Sequence, residues 1–128
     1  MRALLDTHAF LWWNLDDERL SSPARRVIHD GRNEIVVSAA SIWEVALKAT
    51  KGRLELPMQV DAYVADRLRR NRWGTVSIDE RHAVRAAMLP MIHSDPFDRV
   101  LVAQAQLESM PIITTDAAII RYDVETIW

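Results

Sequence analysis

Four acidic side chains stand just after short apolar runs or in the first turns of amphipathic segments. They are Asp6, Glu44, Asp98 and Asp116. Carboxylate oxygens are the ligands that hard divalent cations such as Mg²⁺ and Mn²⁺ prefer in proteins. A cation held in this way lowers the pKa of a bound water and stabilises charge on a phosphoryl oxygen, without a serine, cysteine or histidine nucleophile. If the four acids converge, the chemistry that they indicate is metal-dependent hydrolysis of a phosphodiester.

Short apolar runs alternate with segments of helical pattern along the chain. The apolar runs cover residues 3–5, 34–37, 75–78, 111–113 and 125–127. The helical segments cover residues 7–14, 22–30, 39–51, 57–72, 79–89, 96–109 and 116–121. Three of the runs are continuously apolar, which is typical of strands that are covered on both faces. The alternation predicts an α/β fold, a three-layer α/β/α sandwich with a central, mainly parallel sheet of four to five strands.

This topology predicts that the acids share one edge of the sheet. In a right-handed βαβ unit, the carboxyl end of each strand and the amino end of the next helix meet at the edge where ligands bind. Asp6 and Asp116 follow the first and fourth strands, whereas Glu44 and Asp98 lie in the early turns of two helices. Asp79 also falls at a strand-to-helix junction, and we interpret it as a helix cap on the same edge.

Several of these residues also have a purely structural interpretation. Asp6 could cap the first helix, and Asp116 or Thr115 could cap the last one. Asp98 could simply face the positive end of its own helix, behind a cap at Asp95. Capping does not, however, require an acid at the tip of both strands. Two carboxylates ~5 Å apart repel by about 3 kcal/mol at an effective dielectric constant near 20, so a convergent group needs a proton or a cation to offset it.

Glu44 and two nearby basic residues have similar alternatives. The segment from Ser41 to Glu44 matches a capping box, and Glu44 could pair with Lys48 one turn later. Lys48 and Arg99 could position a phosphate or balance the charge of the acids. The alternative for each of them is a surface ion pair, which contributes little to stability.

Composition excludes several other classes of protein. The chain has 128 residues, of which 49% are hydrophobic, and we expect a single domain over 1–128. It has no cysteine, which excludes disulfides and thiolate zinc sites, and the formal net charge of −2 does not by itself indicate a nucleic-acid binder. No apolar run approaches the ~18 residues of a membrane span, and no export signal is evident. We therefore expect a cytoplasmic protein with no membrane contact.

Four motifs in series resemble the PIN-domain nucleases, and among them the VapC-type toxins of bacterial toxin–antitoxin pairs. The motifs cover residues 4–8, 38–48, 93–99 and 113–116, with the sequences LLDTH, SAASIWEVALK, HSDPFDR and ITTD. They occur in the order and at the intervals of that family, and they span nearly the whole chain. The four histidines show no zinc-type spacing, and we leave them outside the site.

The resemblance implies a PIN-like fold and a metal-dependent endoribonuclease. The family's four acids carry over to catalytic roles for Asp6, Glu44, Asp98 and Asp116, with Asp6, Asp98 and Asp116 as ligands of Mg²⁺ or Mn²⁺. Thr115 matches a hydroxyl residue that supports the metal site. Asp95 is an additional acid beside Asp98, and we assign Asp98 to the metal and Asp95 to the helix cap.

The resemblance also implies partners. They are an RNA substrate, a cognate antitoxin protein and a second copy of the chain in a homodimer, with DNA contacted only indirectly through the antitoxin. Two alternatives stay open. The first is a non-catalytic module that binds RNA or a protein. The second is a phosphotransfer domain that forms an aspartyl-phosphate on Asp6, although the sequence lacks the second acid two residues later that such enzymes use.

Overall fold

The computed structural model describes residues 1–128 as five strands that alternate with seven helices. The strands are β1 (Arg2–Leu5), β2 (Glu34–Ser38), β3 (Gly74–Val76), β4 (Ile112–Ile113) and β5 (Thr126–Ile127). The helices are α1 (Thr7–Asn14), α2 (Ser22–His29), α3 (Ala39–Thr50), α4 (Val60–Asn71), α5 (Glu80–Met88), α6 (Pro96–Glu108) and α7 (Ala117–Ile120). None of these helices has the length and apolar character needed to cross a membrane.

All five strands are parallel and lie in the order β3-β2-β1-β4-β5. Strand β1 is central, and its Leu4 pairs with Val36 on one side and Ile112 on the other. Residues 3–5 are completely buried, which explains why this run contains no alternating polar positions. The predicted parallel sheet is confirmed, and the structure places it in the middle of the fold.

The helices cover both faces of the sheet. On one face, Phe10 of α1 and Tyr63 of α4 belong to an apolar cluster that includes Leu5 and Val37 of the sheet. On the other face, helices α6 and α7 pack over a second cluster that contains Leu4 and Ile112, and α5 packs against α6. Burial of each large apolar side chain contributes roughly 1.5–3 kcal/mol, so the two clusters hold both helical layers to the sheet. The predicted three-layer α/β/α sandwich is confirmed.

The start of α3 differs from the predicted capping box. Ser38, the last residue of β2, caps α3 by accepting a hydrogen bond from the backbone N–H of Ala40 at 3.0 Å. Because the strand passes into the helix without a loop, Ser41 is already inside the helix and is buried. The capping-box interpretation of Ser41 and Glu44 is therefore wrong, and the Glu44 side chain is available for other contacts.

Asp79 caps α5, as predicted, but it lies near the opposite edge of the sheet. Its carboxylate and that of Glu108 both bind the guanidinium of Arg81, at 3.0 and 3.1 Å. Glu108 ends α6, whereas Asp98 lies in the first turn of the same helix. Ten residues of helix separate the two ends by about 15 Å. The predicted placement of Asp79 on the edge that carries the acids is wrong.

Candidate active site

Asp6 occupies the junction between β1 and α1. Its Oδ1 caps α1 by accepting a hydrogen bond from the N–H of Ala9 at 2.6 Å, and its Oδ2 accepts one from the Thr114 hydroxyl. Only 4% of the residue is exposed. Burial raises the pKa of Asp6 above its ordinary value, although the hydrogen bonds from Thr114 and Ala9 oppose this shift. Asp6 can therefore cap α1 and still belong to a group of acids.

Asp116 occupies the corresponding position between β4 and α7. Its Oδ1 caps α7 by accepting from the N–H groups of Ala118 and Ile119, at 2.8 and 3.1 Å. Its backbone N–H donates to the Thr114 hydroxyl oxygen at 3.0 Å. Since that hydroxyl donates to Asp6, Thr114 connects the two acids directly.

Thr114 was not predicted from the sequence, where Thr115 was assigned the supporting role. The structure leaves the Thr115 side chain exposed and buries Thr114. Thr114 is held in the sheet, because its N–H donates to the carbonyl of Ile127 and so continues the ladder of β4 beyond Ile113. The supporting role of Thr115 stays a prediction.

Glu44 reaches the same edge from the second turn of α3. The hydroxyl of Thr7 donates to its Oε1 at 2.6 Å, and the Lys48 ammonium lies 3.0 Å from its Oε2. The Ser41 Oγ lies 3.1 Å from Thr7 Oγ1. Because the proton of Thr7 is used for Glu44, Ser41 donates to Thr7. The predicted pairing of Glu44 with Lys48 is present, and Thr7 is a contact that sequence spacing did not predict.

Asp98 lies in the first turn of α6, directly after the cap. Asp95 accepts hydrogen bonds from the N–H groups of Phe97 and Asp98 at 2.9 and 3.2 Å, so its assignment as the helix cap is confirmed. The Oδ2 of Asp98 lies 3.1 Å from His93 Nε2, and His93 Nδ1 lies 2.8 Å from the Tyr122 hydroxyl. His93 therefore forms a local hydrogen bond with Asp98, and its exclusion from the site itself stays a prediction.

The charges of the acids act on one another. Burial raises the pKa of Asp98 to about 6, the negative charges of Asp95, Asp116 and Glu44 add to this shift, and the hydrogen bond from His93 opposes it. The charge of Asp116 also raises the pKa of Asp6. Side chains from four separate segments of the chain therefore lie near enough for their charges to interact, and we call this group of Asp6, Glu44, Asp98 and Asp116 the acidic pocket.

Arg99 does not contribute to this pocket. It is buried, and its guanidinium donates to the carbonyl oxygens of Ala86 and Leu89, at 2.8 and 3.1 Å, and to those of Pro90 and His93, at 3.0 and 3.3 Å. It also donates to the Tyr122 hydroxyl at 3.1 Å. Both sequence-based interpretations of Arg99, as a phosphate ligand and as a surface ion pair, are wrong, because this side chain holds together the connection between α5 and α6.

One group whose possible metal-ligand atoms all lie within 4.8 Å of one another is outside the acidic pocket, at Asp79, His82 and Glu108. These atoms already have partners. His82 Nδ1 accepts from the N–H of Asp79, its Nε2 lies 3.0 Å from Glu108, and Arg81 binds both carboxylates. We interpret this group as a capping arrangement that joins α5 to α6.

The acidic pocket has the donor set of a hard cation. All four acids offer oxygen, and neither Oδ1 of Asp98 nor Oδ2 of Asp116 accepts a hydrogen bond from the protein. The only lysine or arginine that forms an ion pair with one of the four acids is Lys48. An excess of carboxylates over cations, with free oxygens, fits Mg²⁺ or Mn²⁺ better than a softer metal.

The titration of Asp98 predicts a pH dependence of stability with a definite sign. Folding raises the pKa of Asp98 from 3.8 to about 6, so between these values the folded chain binds more protons than the unfolded chain. The stabilisation from this group is therefore complete below 3.8 and is lost as the pH rises through about 6. In EDTA, we expect Tm of the Asp98→Asn variant, relative to the parent, to increase between about pH 4 and 7. A Tm difference that is constant over this range would contradict the environment described for Asp98.

Comparisons with known proteins agree with this fold. The sequence model of the PIN domain matches residues 3–125. The chain belongs to the PIN-domain family. Ribonuclease VapC22 of Mycobacterium tuberculosis is 32% identical to this PIN domain over 114 residues, which are 88% of this chain and 85% of that protein. Ribonuclease VapC16 of the same organism is 41% identical over 58 residues, 45% of this chain and 41% of that protein.

Solved structures include the same PIN-domain architecture. The crystal structure of VapBC2 from Rickettsia felis, bound to a DNA fragment from its promoter, contains a chain that superposes with a TM-score of 0.74 at 13% identity, covering 98% of this chain and 97% of that one. A toxin–antitoxin complex from Klebsiella pneumoniae gives a TM-score of 0.62 at 20% identity, covering 89% and 86%. At these identities the likeness concerns the fold alone.

Proposed function

We propose that this PIN domain is a divalent-metal-dependent endoribonuclease and the toxin of a toxin–antitoxin pair, with residues 1–128 acting as one nuclease domain. The observation that carries the proposal is the acidic pocket, in which four carboxylates meet at the ligand-binding edge of a parallel sheet with one paired lysine. The relatives named ribonuclease VapC support RNA as the substrate.

We assign Asp6, Asp98 and Asp116 to the cation, Mg²⁺ or Mn²⁺. When bound, such a cation activates a water and stabilises negative charge on the phosphoryl oxygens. The protein fixes the ligands beforehand, since Asp6 and Asp116 are each held by the helix that they cap and share the Thr114 hydroxyl. Rigid ligands of this kind keep their geometry during the reaction, which favours catalysis.

We assign Glu44 to accept the proton of the attacking water. Thr7 and Lys48 each hold one of its oxygens, which fixes the orientation of the carboxylate. The ammonium of Lys48 also brings positive charge next to the acidic pocket, where an RNA phosphate must approach. These contacts make Glu44 the general base of the proposal and Lys48 its supporting residue.

Removal of divalent metal is the direct test of this function. We expect the purified chain to cleave single-stranded RNA with Mg²⁺ or Mn²⁺, to lose this activity in EDTA, and to recover it when the metal is restored. The metal should also raise Tm, because a ligand that binds only the folded state stabilises it by RT ln(1 + [L]/Kd). RNA cleavage that is equally fast in EDTA would overturn the metal-dependent mechanism.

The proposal includes a cytoplasmic location and partners of the kind found with similar folds. The similar structures are toxin–antitoxin complexes, one of them with promoter DNA. We infer an antitoxin that covers the acidic pocket, contact with DNA only through that antitoxin, and a homodimer. Co-expression with the neighbouring reading frame, followed by size-exclusion chromatography, tests these partners together.

The geometry argues against the two alternatives. An aspartyl-phosphate on Asp6 needs a carboxylate oxygen that is free to attack phosphorus and room for the phosphoryl group, whereas a cation needs only a lone pair of an oxygen that already accepts a hydrogen bond; Asp6 is 4% exposed and both of its oxygens accept hydrogen bonds. A purely binding module gives no reason to retain four mutually repelling acids in one pocket. A metal-dependent ribonuclease is compatible with the buried Asp6 and explains why four repelling acids are kept together.

A further inference from the structure

An exposed aromatic pair borders the acidic pocket between α3 and α6. Trp43 directly precedes Glu44 and is 58% exposed, although tryptophan is usually well buried. Its ring meets the ring of Phe97 almost at a right angle, with an interplanar angle of 80° and centroids 5.2 Å apart. Phe97 directly precedes Asp98. The pair therefore stands beside two of the four acids, and much of the indole remains open to a further planar group.

A cleft beside this pair carries unpaired positive charge. The cleft has a volume of about 310 Å³, and Phe97 and Lys48 form part of its wall. Two acids, Glu44 and Asp95, also line it. Lys51 and Arg53 also line it, and both are exposed. Unlike Lys48, neither of them has a carboxylate within 4.0 Å. Two free cations thus lie along a path that starts at the acidic pocket.

The two features together have the composition of a site for single-stranded nucleic acid. Such sites combine cations that follow the phosphates with aromatic rings on which bases stack. A base that stacks on an indole must first leave its own helix, so this arrangement selects unpaired nucleotides. A protein segment could also bury Trp43, but it would have to carry acidic side chains at the right positions to pair with Lys51 and Arg53, whereas every nucleotide carries a phosphate.

We propose that the Trp43–Phe97 pair and the adjoining cleft form a nucleotide subsite of the ribonuclease. One base of single-stranded RNA, next to the cleaved bond, stacks on Trp43, and a neighbouring phosphate lies between Lys51 and Arg53. This inference rests on the proposed function for its substrate. It adds the selection of unpaired RNA to that function, through residues outside the acidic pocket.

The test measures binding separately from cleavage. In the Asp98→Asn background with Mg²⁺, the Kd of a fluorescein-labelled, single-stranded oligoribonucleotide of mixed sequence is measured by anisotropy. Trp43→Ala should weaken binding by about 5- to 150-fold, the range for loss of one base stack. Trp43→Leu, which keeps apolar volume without an aromatic ring, should behave like alanine, whereas Trp43→Phe should retain most of the affinity. A duplex of the same sequence should show little dependence on Trp43.

The charged half of the subsite has its own measurement. Lys51→Ala and Arg53→Ala should each reduce the slope of log Kd against log salt by about 0.7, the value for one phosphate contact on a single strand. Arg85→Ala is the matched control, since this exposed arginine contacts Gln106 on the far part of α6. It should leave both Kd and the salt slope unchanged.

The outcomes separate this inference from the proposed function. If the parent chain cleaves RNA but Trp43→Ala and Trp43→Leu bind the probe as tightly as the Asp98→Asn background alone, the subsite is wrong and the ribonuclease stands. The aromatic pair would then belong to a protein partner. If the parent does not cleave RNA and Trp43→Ala still weakens binding, the nucleotide subsite is supported and the proposed nuclease function is wrong. Absence of any probe binding in the Asp98→Asn background would overturn the subsite.

Discussion

Replacing Asp98 with asparagine is expected to reduce RNA cleavage by at least about a thousandfold while the chain stays folded. Metal-assisted stabilisation of charge in the transition state is worth several kcal/mol, and each 1.36 kcal/mol corresponds to a factor of ten in rate. The asparagine side chain would keep an oxygen for the contact with His93 but would lose the negative charge of Asp98. Single-turnover cleavage of a labelled RNA with Mg²⁺ measures the effect.

Two controls show whether the loss is specific to the site. Glu125→Gln makes the same change of charge at an exposed residue between β4 and β5, and it should cleave like the parent. In EDTA, Asp98→Asn should melt at the same temperature as the parent or higher, because it relieves repulsion from Asp116 and Glu44. Cleavage by Asp98→Asn within about tenfold of the parent would remove Asp98 from the metal site.

Replacing Arg99 is expected to give the largest loss of stability for a single residue outside the apolar core. Arg99→Ala removes the donor to five carbonyl oxygens and to the Tyr122 hydroxyl in a buried environment. Hydrogen bonds to charged groups contribute about 1.5–3 kcal/mol each, and buried acceptors without a partner are costly. We expect the free energy of unfolding in urea to fall by about 3–5 kcal/mol, because several buried carbonyl oxygens lose their donor at about 1–3 kcal/mol each and part of this cost is relieved by relaxation or water.

Conservative replacement distinguishes this geometry from a simple requirement for charge. Arg99→Lys keeps the positive charge but cannot direct several donors in a planar fork, so it should lose more than half as much stability as Arg99→Ala. Arg85→Ala, at an exposed arginine of α5, should change stability by less than about 0.5 kcal/mol. An equally small effect of Arg99→Ala would show that the α5–α6 connection does not depend on this side chain.

The fold could be predicted largely from local pattern. Continuous apolar runs identify buried parallel strands, and short connections to amphipathic segments leave few topologies. The exception was Asp79, because the βαβ rule assumes that a helix begins at the edge of the sheet where the preceding strand ends. After β3 the chain instead runs along α6, where Gln104 donates to the carbonyl of Ser77 at 3.2 Å. That tertiary hydrogen bond has no signature in the sequence around Ser77.

The acids of the site were predictable, whereas most of their neighbours were not. Asp6 and Asp116 stand at strand ends, so their positions follow from topology alone. Thr114 and Thr7 act on acids that are 108 and 37 residues away in the sequence, and no spacing rule connects such residues. The role of Arg99 could not be predicted for the same reason, because its partners are backbone carbonyls, which every residue carries.

The residues assigned to the cation come from both sides of the sheet. Asp6 caps α1, in the layer that contains α1 and α3, and Asp98 lies in α6, in the layer that contains α6 and α7. A cation held by Asp6 and Asp98 would link the two layers, so that sliding of one layer against the other would be coupled to metal binding. Adding the metal should therefore slow amide hydrogen exchange in α1 and α6 together, and removing it should reverse the effect in both helices.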